Sequence, residues 1–290
     1  MLLYDLSPAV VAFSTERHAS APSEPYDGFN ITWYTDDAPS HVAACRTTLC
    51  RQLGIDDRHL VLPRQVHGTR IATVTDDLLH DGPSALDGVD ALITRLPNTC
   101  IGISTADCVP ILLYDMRTSA VAAVHAGWRG TVARIASLTV AAMNERFGTR
   151  PADLRAVIGP SIGPSAFEVG DEVCDAFSSA RFPMSDIAFQ APPLHPQPSD
   201  VVPSVSPCSS SAVQACPVDR HGASAPVLRW HIDLWKANAY DLVAAGVPAP
   251  SVYTSALCTY TLHARFFSAR RLGIHSGRIF TGIMLKKSAG

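Results

Sequence analysis

Three short motifs carry side chains that bind metals or act as nucleophiles. The motif TADCVP contains Cys108, the motif VHAGWRG contains His125, and the motif QVHG contains His67. Each motif follows an apolar, strand-like run and places its reactive side chain beside small residues and a polar or charged residue. One thiol and two imidazoles are therefore presented where strands give way to loops. We expect the three residues to meet in one site.

Two imidazoles and one thiolate form a ligand set that suits a catalytic zinc ion with its fourth position open. Copper accepts the same donors, but a blue-copper electron-transfer site usually takes its cysteine, histidine and methionine from one short loop. The sequence has no such loop, which disfavours electron transfer. A different hypothesis needs no metal and makes Cys108 a nucleophile with His125 as its base. An inert buried thiol and a core histidine are the simplest alternative.

Charged residues near these motifs suggest further roles. Arg129 precedes a predicted helix, where a guanidinium and backbone N–H groups favour a phosphate or carboxylate; a surface salt bridge is the alternative. Asp107 and Glu168 are candidate carboxylates for assisting proton transfer. Asp87, Asp90 and Asp107 are each placed to orient a ligand imidazole or simply to cap a turn.

The elements that must position these residues are read from apolar periodicity. The central region is predicted to contain strands at Cys100–Ser104, Pro110–Tyr114 and Ala120–His125. If the last two pair antiparallel, their outer ends bring Cys108 and His125 close together. Further strands are predicted at Val10–Ser14, Ala91–Thr94, Leu154–Ile158 and Ile279–Leu285, and helices at Pro39–Leu53, Val132–Phe147 (capped by Thr131), Asp171–Ser178 and His231–Ala245.

The segment Arg181–Arg229 differs from the rest of the chain. It holds nine of the 22 prolines and eight serines and shows little periodicity. We predict a long, mostly irregular insertion. His195, Cys208, Cys216 and His221 fall in it, but their spacing matches no tight zinc motif.

Composition excludes several classes of protein. The chain of 290 residues has 47% apolar and 17% charged residues, as globular enzymes do. A formal charge of −3 without a basic block argues against nucleic acid or an anionic membrane as the main partner. No apolar run reaches membrane-span length, and no secretory signal is evident. Eight cysteines without a CxxC pair indicate reduced thiols, so we expect a cytoplasmic protein.

Six motifs together resemble the YfiH family, also called the laccase-domain, multicopper polyphenol oxidase or peptidoglycan-editing-factor family. They read QVHG, DGVDALIT, TADCVPILLYD, AVHAGWRGT, IGPSIGPSAFEV and FFSARR, in that order. The resemblance covers nearly the whole chain outside Arg181–Arg229. In FFSARR, Ala269 stands where the family usually has an aromatic residue, a change expected to loosen one wall of the pocket.

The resemblance implies an α/β (α+β) fold, with residues 1–290 forming one domain built as a four-layer α/β/β/α sandwich. It also implies that His67, Cys108 and His125 bind zinc, with copper as an alternative metal. The implied activity is phosphorolysis of purine nucleosides (adenosine, inosine, methylthioadenosine) with adenosine deamination beside it. Family descriptions also include a copper-dependent polyphenol oxidase and an amide hydrolase that edits a peptidoglycan precursor, so these alternatives stay open.

On this hypothesis the site has a catalytic group and a substrate-binding group. Cys108, His125, Asp107 and Arg129 are predicted to act in catalysis. The nucleoside and phosphate are predicted to contact Gln65, Arg129, Glu168, Arg270 and Arg271. The oligomeric state, monomer or dimer, is left open.

Overall fold

The computed structural model describes residues 1–81, 83–194 and 228–287. Its strands are β1 (Leu2–Tyr4), β2 (Val10–Ser14), β3 (Leu60–Val61), β4 (Ile71–Thr73), β5 (Ala91–Thr94), β6 (Cys100–Thr105), β7 (Val109–Asp115), β8 (Ala120–Ala126), β9 (Leu154–Ile158), β10 (Glu168–Val169), β11 (Ala188–Ala191), β12 (Arg229–Ile232), β13 (Val252–Thr254) and β14 (Ile279–Leu285). Its helices are α1 (Pro39–Leu53), α2 (Asp76–Asp81), α3 (Trp128–Val132), α4 (Ile135–Phe147), α5 (Asp171–Ser179), α6 (Met184–Ile187), α7 (Leu234–Ala244) and α8 (Ala269–Leu272).

The strands form two large sheets and one small one within this part of the chain. The five-stranded sheet has the order β1-β2-β14-β6-β3, and the six-stranded sheet has the order β13-β9-β7-β8-β5-β4. The small sheet has the order β10-β12-β11. The two large sheets mix parallel and antiparallel pairs, in agreement with the predicted α/β (α+β) class.

The layer order follows from strands that are apolar on both faces. In β7, Ile111 and Leu113 pack into the cluster that includes residues of α4 and α7, whereas Leu112 packs into the cluster between the two large sheets. Because successive side chains of a strand point to opposite faces, a continuous apolar run covers two cores at once. On the other side, Phe13 of β2 packs with Leu49 of α1. The predicted four-layer order, helix, sheet, sheet, helix, is confirmed.

The chain changes sheets at the first reactive motif. β6 lies in the five-stranded sheet and β7 in the six-stranded sheet, so Ala106, Asp107 and Cys108 form the crossover between them. The predicted central strands are all present, but the first does not share a sheet with the other two. Cys108 is therefore held at the junction of the two large sheets.

Two predicted helices have different boundaries. The helix predicted at Val132–Phe147 is two helices, α3 and α4, because Arg134 adopts a left-handed conformation with φ 62°. Thr131 lies inside α3 and caps neither helix. The predicted helix at His231–Ala245 begins as strand β12, and Asp233 caps α7 by accepting a hydrogen bond from the Lys236 N–H at 2.9 Å.

The predicted insertion is partly regular. Its first residues include helix α6 and strand β11, and β11 pairs with β12 beyond the insertion. His195, Cys208, Cys216 and His221 lie outside the described residues. No helix in the described ranges is long and apolar enough to cross a membrane.

Candidate metal centre

His67, Cys108 and His125 come together as the motifs predicted. The imidazole nitrogen and thiol sulfur atoms that they offer all lie within 4.8 Å of one another. His125 stands near the end of β8 and pairs with Pro110 of β7, so the antiparallel pairing brings the crossover thiol to the imidazole. His67 comes from the loop between β3 and β4, and its ring meets that of His125 edge-on with centroids 4.8 Å apart.

Asp90 holds both histidines in place. Its buried carboxylate accepts a hydrogen bond from the ring Nδ1 of His125 at 2.8 Å and from the backbone N–H of His67 at 2.9 Å. It also accepts from the N–H groups of Gly68 at 2.8 Å and Val66 at 3.3 Å. A proton held on Nδ1 leaves the Nε2 of His125 as the free ligand atom. The Asp90 carboxylate thus fixes both the tautomer of His125 and the loop that carries His67.

Two residues at the site have left-handed backbones. His67 has φ 63° and Asp107 has φ 84°, a conformation that costs free energy for any residue with a side chain. The Asp90 hydrogen bond to the His67 N–H stabilises the first. The left-handed conformation of Asp107 is stabilised because its carbonyl accepts a hydrogen bond from the Ile162 N–H at 2.9 Å. The surrounding structure therefore over-determines the positions of both motifs.

Gly127 leaves the space that the cluster occupies. A Cβ atom at this position would lie 3.0 Å from Cδ2 of His67 and 3.1 Å from Sγ of Cys108. The backbone of Gly127 has ordinary dihedral angles, with φ −64°. The glycine in the motif VHAGWRG is therefore needed for close approach rather than for conformation.

The electrostatics favour a thiolate beside imidazoles. Burial raises the pKa of Cys108, but the charge of His125 and hydrogen bonds from both histidines lower it overall. Burial likewise lowers the pKa of His125, whereas the Cys108 thiolate and Asp90 raise it overall. In the protein without metal, the two groups therefore stabilise each other as an ion pair.

The donor set fits a transition-metal ion such as zinc. Tetrahedral zinc at its usual bond lengths holds nitrogen and sulfur donors roughly 3.3–3.6 Å apart. The three donors here lie within 4.8 Å of one another, which is close enough for them to share one ion. The second-sphere contact that a ligand histidine requires is already made by Asp90.

Comparison with known proteins places the chain in a family. A family model described as multi-copper polyphenol oxidoreductase laccase matches residues 11–198 and 187–286. The chain belongs to this laccase-like YfiH family. The fold agrees, because the structure of YlmD from Geobacillus stearothermophilus superposes with a TM-score of 0.76 at 30% identity, covering 98% of this chain and 94% of that one.

Two family relatives carry enzyme names. A protein named adenosine deaminase RL5, from an unknown prokaryotic organism, is 42% identical over 96% of this chain and 94% of its own length. A protein named purine nucleoside phosphorylase, from Bacteroides thetaiotaomicron, is 40% identical over 95% of this chain and 91% of its own length. The names support a nucleoside phosphorylase or deaminase activity of the YfiH family.

The two polar residues predicted beside the ligands make structural contacts. The Gln65 amide donates to the Ser104 carbonyl at 2.8 Å and accepts from the Ser104 N–H at 2.8 Å, like an added strand residue. The Asp107 carboxylate accepts from the Thr259 hydroxyl at 2.6 Å and the Arg270 N–H at 2.6 Å. Burial raises the pKa of Asp107, which these hydrogen bonds only partly offset. Their predicted roles toward substrate and in proton transfer stay predictions.

The predicted phosphate contacts lie in different surroundings. Arg129 is exposed, with its guanidinium carbon 4.2 Å from the Trp128 ring centroid. Arg270 donates to the Glu168 carbonyl at 3.0 Å, and Arg271 donates to the Tyr260 hydroxyl at 3.2 Å. The Glu168 carboxylate accepts from the Leu194 N–H at 2.9 Å. The Asp107 contact brings the Arg270 backbone to the cluster, whereas no contact ties Arg129 to it among the described residues.

Sequence reasoning left two features of the site unresolved. It named Asp90 as one of three carboxylates able to orient an imidazole, and the structure selects it over Asp87 and Asp107. It overlooked Arg278, which lies at the start of β14 and has Cys108 among its electrostatic neighbours. The available signal was a charged residue directly before a buried strand, because Asp90 precedes β5 and Arg278 precedes β14.

Proposed function

We propose that this protein is a zinc-dependent purine nucleoside phosphorylase that also deaminates adenosine. The observation that carries the proposal is the His67, Cys108 and His125 cluster with its Asp90 support, in a chain whose relatives are named for these two reactions. The substrates are then small molecules: adenosine, inosine or methylthioadenosine, with phosphate.

The reaction chemistry sets what the site must do. In phosphorolysis, a phosphate oxygen forms a bond to C1′ of the ribose as the glycosidic C–N bond breaks, and the bonding electrons pass to the purine, which takes up a proton. In deamination, water adds at C6 of adenosine and ammonia leaves. His67, Cys108 and His125 would hold a zinc ion, which would supply Lewis-acid polarisation of a substrate oxygen. Asp90 keeps the proton on Nδ1 of His125, and this fixed tautomer leaves Nε2 free to bind the ion.

A metal-free Cys–His hydrolase is the second candidate, and one observation favours it. Cys108, His125 and Asp90 stand in line as a thiol, an imidazole and a carboxylate, and the pKa of the thiol is lowered overall because, although burial opposes this, the His125 charge stabilises the thiolate. Such a site would attack an amide carbonyl, as in a peptidoglycan precursor. A copper-dependent phenol oxidase is the third reading, but among the described residues one metal-binding group of this kind is found, whereas a multicopper site needs several.

One set of assays separates the candidates. Protein of measured metal content is incubated with adenosine or inosine, with and without phosphate, and free base, ribose 1-phosphate and inosine are quantified. Phosphate-dependent base release that requires zinc is the expected result. Its absence from the zinc-loaded protein would refute the phosphorylase proposal.

Two variants assign the role of the thiol. Cys108→Ser is expected to lose zinc and activity together, whereas Cys258→Ser, a second partly buried thiol, is the matched control. Activity that survives complete removal of metal but disappears in Cys108→Ser would favour the hydrolase. Phenol oxidation that rises with bound copper would favour the oxidase.

A further inference from the structure

Arg278 stands beside the crossover that carries the thiol. It is the residue before β14, whose first residue, Ile279, pairs with Thr105 at the end of β6. The crossover to Cys108 starts at the next residue, Ala106. On the other side, the Arg278 N–H approaches the side-chain oxygen of Asn30 at 3.3 Å. Arg278 is therefore fixed at the same sheet edge as the metal centre.

The guanidinium of Arg278 is held by neutral groups. Its Nη1 donates to the carbonyls of Ser276 and Gly277, the latter at 3.0 Å, and its Nη2 donates to the Ile274 carbonyl at 2.8 Å. These carbonyls take up Nη1 and one N–H of Nη2 without neutralising the charge, and the second N–H of Nη2 has no acceptor within the described ranges. The Nε–H has no acceptor among the residues that the structure describes. The side of the fork formed by Nε and Nη2 is the one that binds an oxyanion through two hydrogen bonds.

Arg278 also differs from the arginines that serve in ion pairs. Those arginines each meet a carboxylate within 4.0 Å: Arg46 with Asp57, Arg117 and Arg150 with Asp153, Arg134 with Asp241, and Arg265 with Glu16. No carboxylate within the described ranges lies that close to Arg278. A partly buried cation without a counterion is costly, and it is stabilised when an anion binds.

The electrostatic neighbours of Arg278 include groups of the candidate metal centre. Burial lowers the pKa of Arg278, and the neighbours that oppose this effect are Tyr34, Cys108, Tyr26 and Asp107. The thiol is committed to the metal-binding cluster, and the Asp107 carboxylate is committed to Thr259 and Arg270. The Tyr26 hydroxyl is buried and donates to no acceptor among the described residues, so a second donor there is also uncommitted.

We propose that Arg278 binds the phosphate co-substrate through the Nε and Nη2 side of its guanidinium. This inference rests on the proposed phosphorylase function and names the residue that recognises the oxyanion. Arg278 suits this role better than Arg129, which is exposed and lies on Trp128, and better than Arg271, which donates to Tyr260. A dianion bound to a preformed, partly desolvated guanidinium gains more than one bound to an exposed arginine.

The test compares phosphate dependence with nucleoside dependence in zinc-loaded protein. Phosphorolysis is measured for wild type, Arg278→Gln, Arg278→Lys and Arg150→Gln, an exposed arginine that pairs with Asp153 and serves as the matched control. Arg278→Gln is expected to raise KM for phosphate on the order of 10- to 100-fold, the loss of a charged two-point contact. KM for the nucleoside should change far less. Arg278→Lys should fall between, because it keeps the charge and loses the fork.

The outcomes separate this inference from the proposed function. If wild type shows no phosphate-dependent base release, the phosphorylase proposal fails, whatever Arg278 does. If wild type is active and Arg278→Gln keeps its phosphate KM within about twofold, the inference alone is overturned. It is also overturned if both KM values rise equally and deamination falls in parallel, since that pattern reports a structural role. Should Arg278→Gln not fold, Arg278→Lys decides, and an unchanged phosphate KM there refutes the two-point contact.

Discussion

Replacing Asp90 by asparagine tests how the metal centre is assembled. Oδ1 of Asp90 accepts from the His125 ring and the His67 N–H, and Oδ2 accepts from the N–H groups of Gly68 and Val66. An asparagine of the same shape keeps one acceptor oxygen and turns the other into an NH₂ group. Whichever way the amide is oriented, that NH₂ faces two donors. The change therefore removes two hydrogen bonds and a negative charge without opening a cavity.

The expected magnitude follows from those contacts. Hydrogen bonds to a buried charge contribute about 1.5–3 kcal/mol each, so the loss of two should lower the free energy of unfolding by roughly 3–6 kcal/mol. Second-sphere partners of metal ligands typically change metal affinity about 10- to 100-fold, and Asp90 supports both histidines. The zinc affinity of Asp90→Asn should therefore be about 100-fold weaker than that of wild type, or weaker still, with a parallel loss of activity.

The assay is a zinc competition titration against a chromophoric chelator, run on protein whose fold is checked by circular dichroism. Stability is measured separately by urea unfolding of the metal-free protein, because bound zinc would add its own stabilisation. Asp87→Asn is the matched control, since the Asp87 side chain is exposed and Arg70 meets only its backbone carbonyl. If folded Asp90→Asn binds zinc within about threefold of wild type, Asp90 does not organise the ligands and this reasoning is wrong.

Two further predictions concern the candidate metal centre, and a third concerns the stability of the fold. Gly127→Ala should weaken zinc binding about 10-fold, because the new methyl group would lie 3.0–3.1 Å from His67 and Cys108 atoms. Gly130→Ala is the control, since the nearest atom to its new methyl group would be 3.4 Å away. Equal zinc affinities of the two variants in the same titration would contradict the prediction. Iodoacetamide should modify Cys108 of the metal-free protein faster than Cys258, and zinc should protect only Cys108. Peptide mass spectrometry measures the modification of each thiol. If zinc protects neither thiol, Cys108 is not a zinc ligand. Burial raises the pKa of Asp115, but hydrogen bonds from Thr118 and neighbouring N–H groups lower it overall, so this carboxylate stabilises the fold above its unfolded pKa and less as pH falls through its folded value. Asp115→Asn should therefore lower the free energy of unfolding in urea by about 1–2 kcal/mol at pH 7. The difference in stability between wild type and variant should narrow below about pH 4. A difference that does not depend on pH would refute the role of the carboxylate.

Much of the fold was predictable because its signals are local. Strand β7 and helix α1 are recognised from apolar periodicity within their own residues, and the stops at Gly54 and Gly148 from the left-handed conformation that glycine adopts easily. The break at Arg134 was not predictable in this way, because the apolar pattern continues across it. The strand β12 was missed because its partner, β11, lies beyond a segment of more than 30 residues.

The sequence by itself determined which residues form the candidate metal centre. His67, Cys108 and His125 each end an apolar run within a motif of small residues, and that local context is enough to mark them. The tertiary structure alone decided which groups serve them. Asp87, Asp90 and Asp107 look alike in sequence, and only the pairing of β5 with β8 puts the Asp90 carboxylate against His125. Likewise, only the register of β14 on β6 puts Arg278 beside the crossover, because the pairing of Ile279 with Thr105, 174 positions away, is set by packing and not by local propensity.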